Sequence, residues 1–288
     1  MDQIYYKITN EKECHNGYQY VNGLNISDKL VELGYNVNGG FCFTTIEYII
    51  KFLYFEYGCY LREITLPQDC LWVKDPDGDK FWADKIILGK RYDLSDPLTF
   101  QLLSERGANI HAFSDCALSW ASKYGHLDIV KYIMEKGSST IKRMNGALQI
   151  ASAYGQVDIV KYLIESGADV HAGDEHALRW ASKNGQLEII KYLSKNGIDI
   201  HTDDDWALIL AAEHGHLDLV KYLVEAGADV HAIADYALKD ASQNGHFDVV
   251  KYLVSAGANV HALNDQVLSM VSKNGHQDIV NFLNMNRY

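Results

Sequence analysis

Five of the chain's 12 histidines, His111, His171, His201, His231 and His261, fall 30 or 60 residues apart, in loops that read GANIH, GADVH, GIDIH, GADVH and GANVH. Imidazoles on such a ladder invite metal chemistry, since a neutral ring nitrogen binds zinc at about 2 Å. Spacing argues against it, because equivalent positions in stacked helical units lie roughly 8–10 Å apart, too far for two rings to share an ion. These rings are expected instead to hydrogen-bond the loops between units, as are His126, His216, His246 and His276. Cys14, Cys42, Cys59, Cys70 and Cys116 contain no C-x-x-C pair, which argues against a zinc knuckle and a disulfide framework. They read as small buried apolar side chains of a reducing compartment. Neither a metal nor a cofactor is expected.

The elements that must hold this ladder repeat with it. Gly125, Gly155, Gly185, Gly215, Gly245 and Gly275 keep a step of 30, as do Tyr132, Tyr162, Tyr192, Tyr222, Tyr252 and Phe282. Asp115, Asn145, Glu175, Asp205, Asp235 and Asp265 precede A-L-x-x-A-S-like runs and read as N-caps of a first helix of about nine residues. A second helix carries Leu127, Val130, Ile133 and Met134 on one stripe, repeated as Val157, Val160, Leu163 and Ile164. Asp128/Lys131, Asp158/Lys161, Glu188/Lys191, Asp218/Lys221 and Asp248/Lys251 are i,i+3 pairs, each adding about 0.2–0.5 kcal/mol. Gly137, Gly167, Gly197, Gly227 and Gly257 close that helix. Helices this short do not persist alone, so the units must stack. SDPLTFQLLSERGANIHA reads as a lone second helix covering the front of the stack, with Pro97 near its first turn. The crossing GSSTIKRMNG is irregular, with Ile141 and Met144 where other units have His and a mostly polar residue.

The words NGHFDVVKYLVSAGANVHA and HGHLDLVKYLVEAGADVHA resemble ankyrin repeats. The resemblance covers residues 95–288 and implies an α-solenoid of 30-residue helix pairs, a half-unit cap plus about six units, that binds proteins through its inner face. Ankyrin units ordinarily span about 33 residues, so the loop that would project as a finger should be blunt here. Columns freed from the stacking rule are where a partner is expected to be chosen, and aromatic and Arg residues are the usual anchors. The residues expected to bind it are Phe113, Arg143, Trp206 and Tyr236, with Tyr124, Tyr154 and His214. Trp120 and Trp180 share a column with Ile150, Leu210 and Met270 and read as core; Asp240 breaks that column.

Residues 1–94 do not repeat. YYKIT and YLREITLP read as strands, TTIEYIIKFLYF as a helix with Ile46, Ile49, Ile50 and Leu53 on one face, and CLWVK and FWADKIILGK as a hairpin about DPDGDK. The reading is a small α+β domain. In the order YYKITNEKECHNGYQYVNGL, then GGFCFTT, then LREITLP, it resembles the leader joined to ankyrin repeats in proteins of giant amoeba-infecting viruses. A fainter likeness, to ADP-ribosyltransferases, maps onto Gly40, Phe41, Cys42, Phe43 and Glu63, with Cys42 where a Tyr is expected and no His in the first strand. The alternative that this implies is an inactive transferase-like module, targeted by the repeats, whose cleft would lie near Phe43 and Glu63.

Charge narrows the partner. Residues 1–94 carry 10 Lys/Arg against 14 Asp/Glu and residues 95–288 carry 16 against 24, within a formal net charge of −12. Neither part has the basic surplus that phosphate neutralisation needs, so nucleic acid is not expected. No apolar run reaches the about 20 residues of a membrane span, and MDQIYYKITNEKE is not a signal peptide. The expectation is a non-enzymatic adaptor, a cytosolic monomer whose partner is a protein of the host.

Overall fold

A computed structural model describes residues 3–15, 17–27, 40–53, 58–137, 140–262 and 265–287. The chain packs as two units, 1–121 with 126–143 and 122–125 with 144–288.

The first unit opens with β1 (Tyr5–Thr9), β2 (Cys14–His15), β3 (Tyr18–Gln19), β4 (Gly23–Ile26), β5 (Phe41–Phe43), β6 (Tyr60–Thr65), β7 (Trp72–Lys74), β8 (Phe81–Ala83) and β9 (Lys85–Asp93). One antiparallel sheet runs β1-β6-β9-β4 and a second runs β5-β8-β7, while β2 and β3 form a short ribbon. Strand alternation decides the layers. Phe41, Phe43, Phe81, Ala83, Ile86 and Leu88 join Tyr5, Tyr20 and Ile64 in one core. Within it the Tyr5 and Phe43 rings meet edge-on at 5.0 Å and Phe43 stacks on Phe81 at 5.8 Å. Cys42 and Trp82 are cross-strand partners between these core positions, so they face the other side of the sheet.

The expected strand FWADKIILGK breaks at Asp84. Its carboxylate accepts the Leu71 N–H at 2.8 Å and its own N–H donates to the Leu71 carbonyl at 3.1 Å, so β8 and β9 enter different sheets. The expected helix over TTIEYIIKFLYF is a five-residue 3₁₀ turn, Ile49–Leu53. Its approach is rich in β-branched residues, which disfavour helix, and Thr44 is held extended by its bridge to Tyr6. Residues 54–57 of that segment lie outside the described ones.

Then come α1 (Pro97–Glu105), α2 (Ala112–Tyr124), α3 (Leu127–Glu135), α4 (Ile141–Ala153), α5 (Val157–Glu165), α6 (Ala172–Lys183), α7 (Leu187–Lys195), α8 (Thr202–Glu213), α9 (Leu217–Glu225), α10 (Ala232–Gln243), α11 (Phe247–Ser255), α12 (Asp265–Lys273) and α13 (Gln277–Met285). In the first unit α1 packs on α3. Pro97 fills its first turn and the Asp96 carboxylate accepts the Leu98 N–H at 2.9 Å. In the second unit α6, α8, α10 and α12 form one row and α5, α7, α9, α11 and α13 another. The expected stripe is shifted: Ile129, Val130 and Ile133, like Ile159, Val160 and Leu163, are buried, whereas Leu127 and Met134 are half-buried. A second helix touches both its own first helix and the next second helix, and the buried arc centres between them. Past α5, the Gly167 N–H donates to Ile164 and the Ala168 N–H to Leu163, the Schellman pattern that a left-handed glycine permits.

The loop before the first helix departs most from expectation. Phe113–Asp115, Gly173–Glu175, Asp203–Asp205 and Ile233–Asp235 are left-handed triplets, with φ between 47° and 68°. The Asp205 and Asp235 N–H groups donate to the His201 and His231 carbonyls four residues back at 3.2 Å. Their carboxylates accept from a histidine ring and from the next loop, not from the N–H groups of the helix that follows, so these acids are not N-caps. Left-handed backbone costs an L-residue about 1–2 kcal/mol, and the shortened loop accepts it to reverse in three residues. α4 has no such triplet and starts right-handed at Ile141, with Met144 buried.

Candidate protein-binding surface

Two hydrogen-bond ladders position the first helices. In the first, Asp205 Oδ1 takes the His201 ring at 2.7 Å while Oδ2 accepts the Asp229 N–H, one unit on, at 2.9 Å. Asp235 takes both His231, at 3.0 Å, and the Asn259 N–H, at 2.7 Å, on its Oδ1, and Asn145 accepts the Asp169 N–H at 2.8 Å. Asp115 takes His111 at 2.8 Å, but its other oxygen pairs with Arg143 at 3.1 Å. In the second ladder, Gln156, Gln186, His216 and His246 donate to the carbonyls of Lys123, Ala153, Lys183 and Glu213, each 33 residues back, at 2.8–3.3 Å. A carbonyl can only accept, so His216 and His246 carry hydrogen on Nε2. Among the described residues no cluster of three or more His, Cys, Asp or Glu could hold a metal. The histidines link loops.

The ladders leave one edge of the first helices open in the second unit. Tyr124, Tyr154 and Trp180 are 42%, 52% and 44% exposed, and Trp206 and Tyr236 are half-buried. Lys123 Nζ lies 4.8 Å from the Tyr154 ring centre and 5.3 Å from that of Tyr124; Lys183 covers Trp180 at 5.4 Å and Lys239 covers Tyr236 at 4.7 Å. His214 is half-buried, its Nδ1 3.1 Å from the Leu210 carbonyl and its ring stacked 6.4 Å from His216. Phe113 and Arg143 belong to the first unit. There the Phe113 ring approaches Tyr48 at 6.4 Å, and Arg143 is occupied by buried Asp115. Trp180 is a correction: it shares a column with buried Trp120, yet it is exposed. Asp240 in that column was the sign that its later members meet water. The lysines three residues after Trp180 and Tyr236 were overlooked, because Lys on a helix surface carries no signal until a ring is beside it.

The transferase-like positions do not assemble. Phe41 and Phe43 are core side chains, and Glu63 sits at the bulge between Arg62 and Ile64 in the pairing of β6 with β9. Its Oε1 accepts Arg106 Nη1 at 2.5 Å and the Tyr92 hydroxyl at 2.6 Å, while Arg106 also donates to the Tyr6 hydroxyl at 3.1 Å. Burial pushes the Glu63 carboxyl up, but these hydrogen bonds outweigh it and hold the group below its ordinary value. Its charge serves to tie β6 to the end of α1. Of the cysteines, Cys116 is buried, Cys14, Cys42 and Cys70 are half-buried and Cys59 is exposed.

The family model for ankyrin repeats matches three times, over residues 92–174, 173–234 and 208–287. The chain belongs to the ankyrin-repeat family. Three relatives from Acanthamoeba polyphaga mimivirus are similar to it, and all bear the name ankyrin repeat protein. R868 is 45% identical over 46% of this chain and 67% of its own length. R229 is 38% identical over 45% and 47%, and R838 is 35% identical over 47% and 54%. The chain thus spans about two thirds of the first relative and about half of the other two. Among the described residues no helix is long and apolar enough to cross a membrane.

Proposed function

We propose that this chain is a non-enzymatic scaffold that binds a protein partner along the open edge of the first helices. One observation carries the reading: Tyr124, Tyr154, Trp180, Trp206 and Tyr236 line that edge exposed or half-buried, and lysines lie over all but Trp206. Exposed aromatics with cationic neighbours are the usual anchors of protein recognition, while Lys and Glu alone are not. In this reading the partner is a host protein, met in the host cytosol by a monomer, with residues 95–288 as the binding solenoid and residues 1–94 as a leader domain. His214 flanks the contact; Phe113 and Arg143, which belong to the first unit, are not counted in it.

The test is capture from amoeba lysate followed by affinity measurement with the purified partner. A Tyr154→Ala, Trp180→Ala, Trp206→Ala, Tyr236→Ala variant that melts with the wild type is expected to lose at least about 100-fold in affinity, as anchors of this kind are worth 2 kcal/mol or more each. Undiminished affinity overturns the reading.

A further inference from the structure

The first unit holds a cavity of about 190 Å³ lined by residues of β1, β5 and β8 and of the 3₁₀ turn, where it reaches the Phe43 edge of the aromatic core. Its walls include Phe43, Ile49 and Phe52, and its polar lining includes Lys7, Lys80, Cys42 and Trp82. Two of these are buried donors short of acceptors. The Trp82 indole N–H is buried with no hydrogen-bond partner, an arrangement that costs free energy unless something fills it. Lys7 is itself a buried residue whose ammonium donates to the Cys42 carbonyl at 2.8 Å and lies 5.3 Å from the Tyr20 ring centre. Among the described residues no carboxylate pairs with it. The nearby acid, Asp79, is engaged by Lys51, and Asp75 and Asp79 reach the Cys42 thiol only through space. Burial pulls the Lys7 ammonium below its ordinary value, and a bound anion would reverse that pull. A cavity of roughly 150 Å³ with apolar walls takes up benzene; this one is slightly larger and has donors on its wall.

We propose that this cavity is a binding site for a small aromatic carboxylate, its ring against Phe43, Ile49 and Phe52 and its carboxylate on Lys7 and the Trp82 indole N–H. Inorganic phosphate would leave the apolar wall uncovered. The proposal is independent of the protein-binding edge.

Benzoate, benzamide, benzylamine and inorganic phosphate are titrated separately into the full chain, with binding located by the Ile49 methyl resonance, which Ile49→Val identifies. Benzoate is expected to shift that signal saturably, and benzamide and benzylamine to bind at least about tenfold more weakly. Trp82→Phe keeps the ring and removes the donor, and should weaken benzoate about tenfold while leaving benzylamine, which has no acceptor for that N–H, unchanged. Lys7→Met, in which the stem is kept and the charge removed, should weaken it further; if that variant does not fold, Trp82→Phe decides alone. Benzamide binding as tightly as benzoate, phosphate displacing benzoate at equal concentration, or no probe binding below about 10 mM each overturns the proposal.

Discussion

Asp205 shows how much one side chain does in this chain. It is buried, sits at φ 54–55° with its neighbours in the left-handed triplet, and accepts from His201 and from the Asp229 backbone on separate oxygens. Asp205→Ala leaves both donors without an acceptor and is expected to cost about 2–4 kcal/mol in urea denaturation. Asp205→Asn keeps one acceptor oxygen and tolerates left-handed backbone, so it should cost less than half as much; equal losses would show that charge, not the hydrogen bonds, matters. Asp240 is the opposite case. Burial, then the neighbouring Glu213, pushes its carboxyl above the ordinary 3.8, with Lys239 opposing. The folded chain therefore holds that proton more tightly than the unfolded one, and stability falls as pH rises through the interval between the two values. Asp240→Asn is expected to be more stable than wild type at pH 7, by under about 1 kcal/mol, and to lose the advantage as pH falls toward 3.8. Melting curves at both ends of the range decide it, and a constant difference rejects the assignment.

At the scale of the element, the glycine that ends each first helix does two jobs. Gly185 has φ 71°, which disfavours any L side chain, and a Cβ there would lie 2.5 Å from His216 Nδ1. Gly155 stands in the same relation to Gln186 at 2.6 Å. Gly197, which ends a second helix at φ 95°, has nothing within 4 Å of that position. Gly197→Ala is therefore expected to cost about 1 kcal/mol or slightly more for backbone alone, and Gly185→Ala clearly more. The difference belongs to His216, so the double variant Gly185→Ala, His216→Ala should cost less than the sum of its parts. Strict additivity would mean that the ring moves aside freely. This contact explains why glycine keeps its step of 30 while the residue after it is a Gln or a His, whose side chain reaches the glycine of the unit before. The glycine period was plain in the sequence. Its reason was not, because the clashing atom comes from a residue 31 positions away.

For the whole molecule, what could be read in advance depended on how the information is stored. The helix pairs were legible because Ala, Leu and Val recur at positions that only a stack can bury, and the family match over residues 92–287 agrees. The left-handed triplets were not, since Asp and Glu before a helix read as caps and a deletion of three residues does not announce its new backbone path. The exposed edge was half legible: Trp206 and Tyr236 stood out by their column, whereas Trp180 was hidden among apolar neighbours. Lys7 and Trp82 gave no signal at all, because a cavity between strands has no period. The same one-dimensional logic predicts how the second unit comes apart. α10 packs on α8 and α12, and α11 on α9 and α13, so each pair depends on its neighbours rather than on a common core. Truncation after Ala262 removes α12 and α13 and should lower the urea midpoint while leaving the remaining chain folded. Amide exchange locates the loss: protection is expected to fall most in α10 and α11 and to change by under about 1 kcal/mol in α6 and α7. An equal fall from α5 through α11 would mean that the array unfolds as one block, and that the hydrogen-bond ladders spanning it transmit stability farther than nearest neighbours.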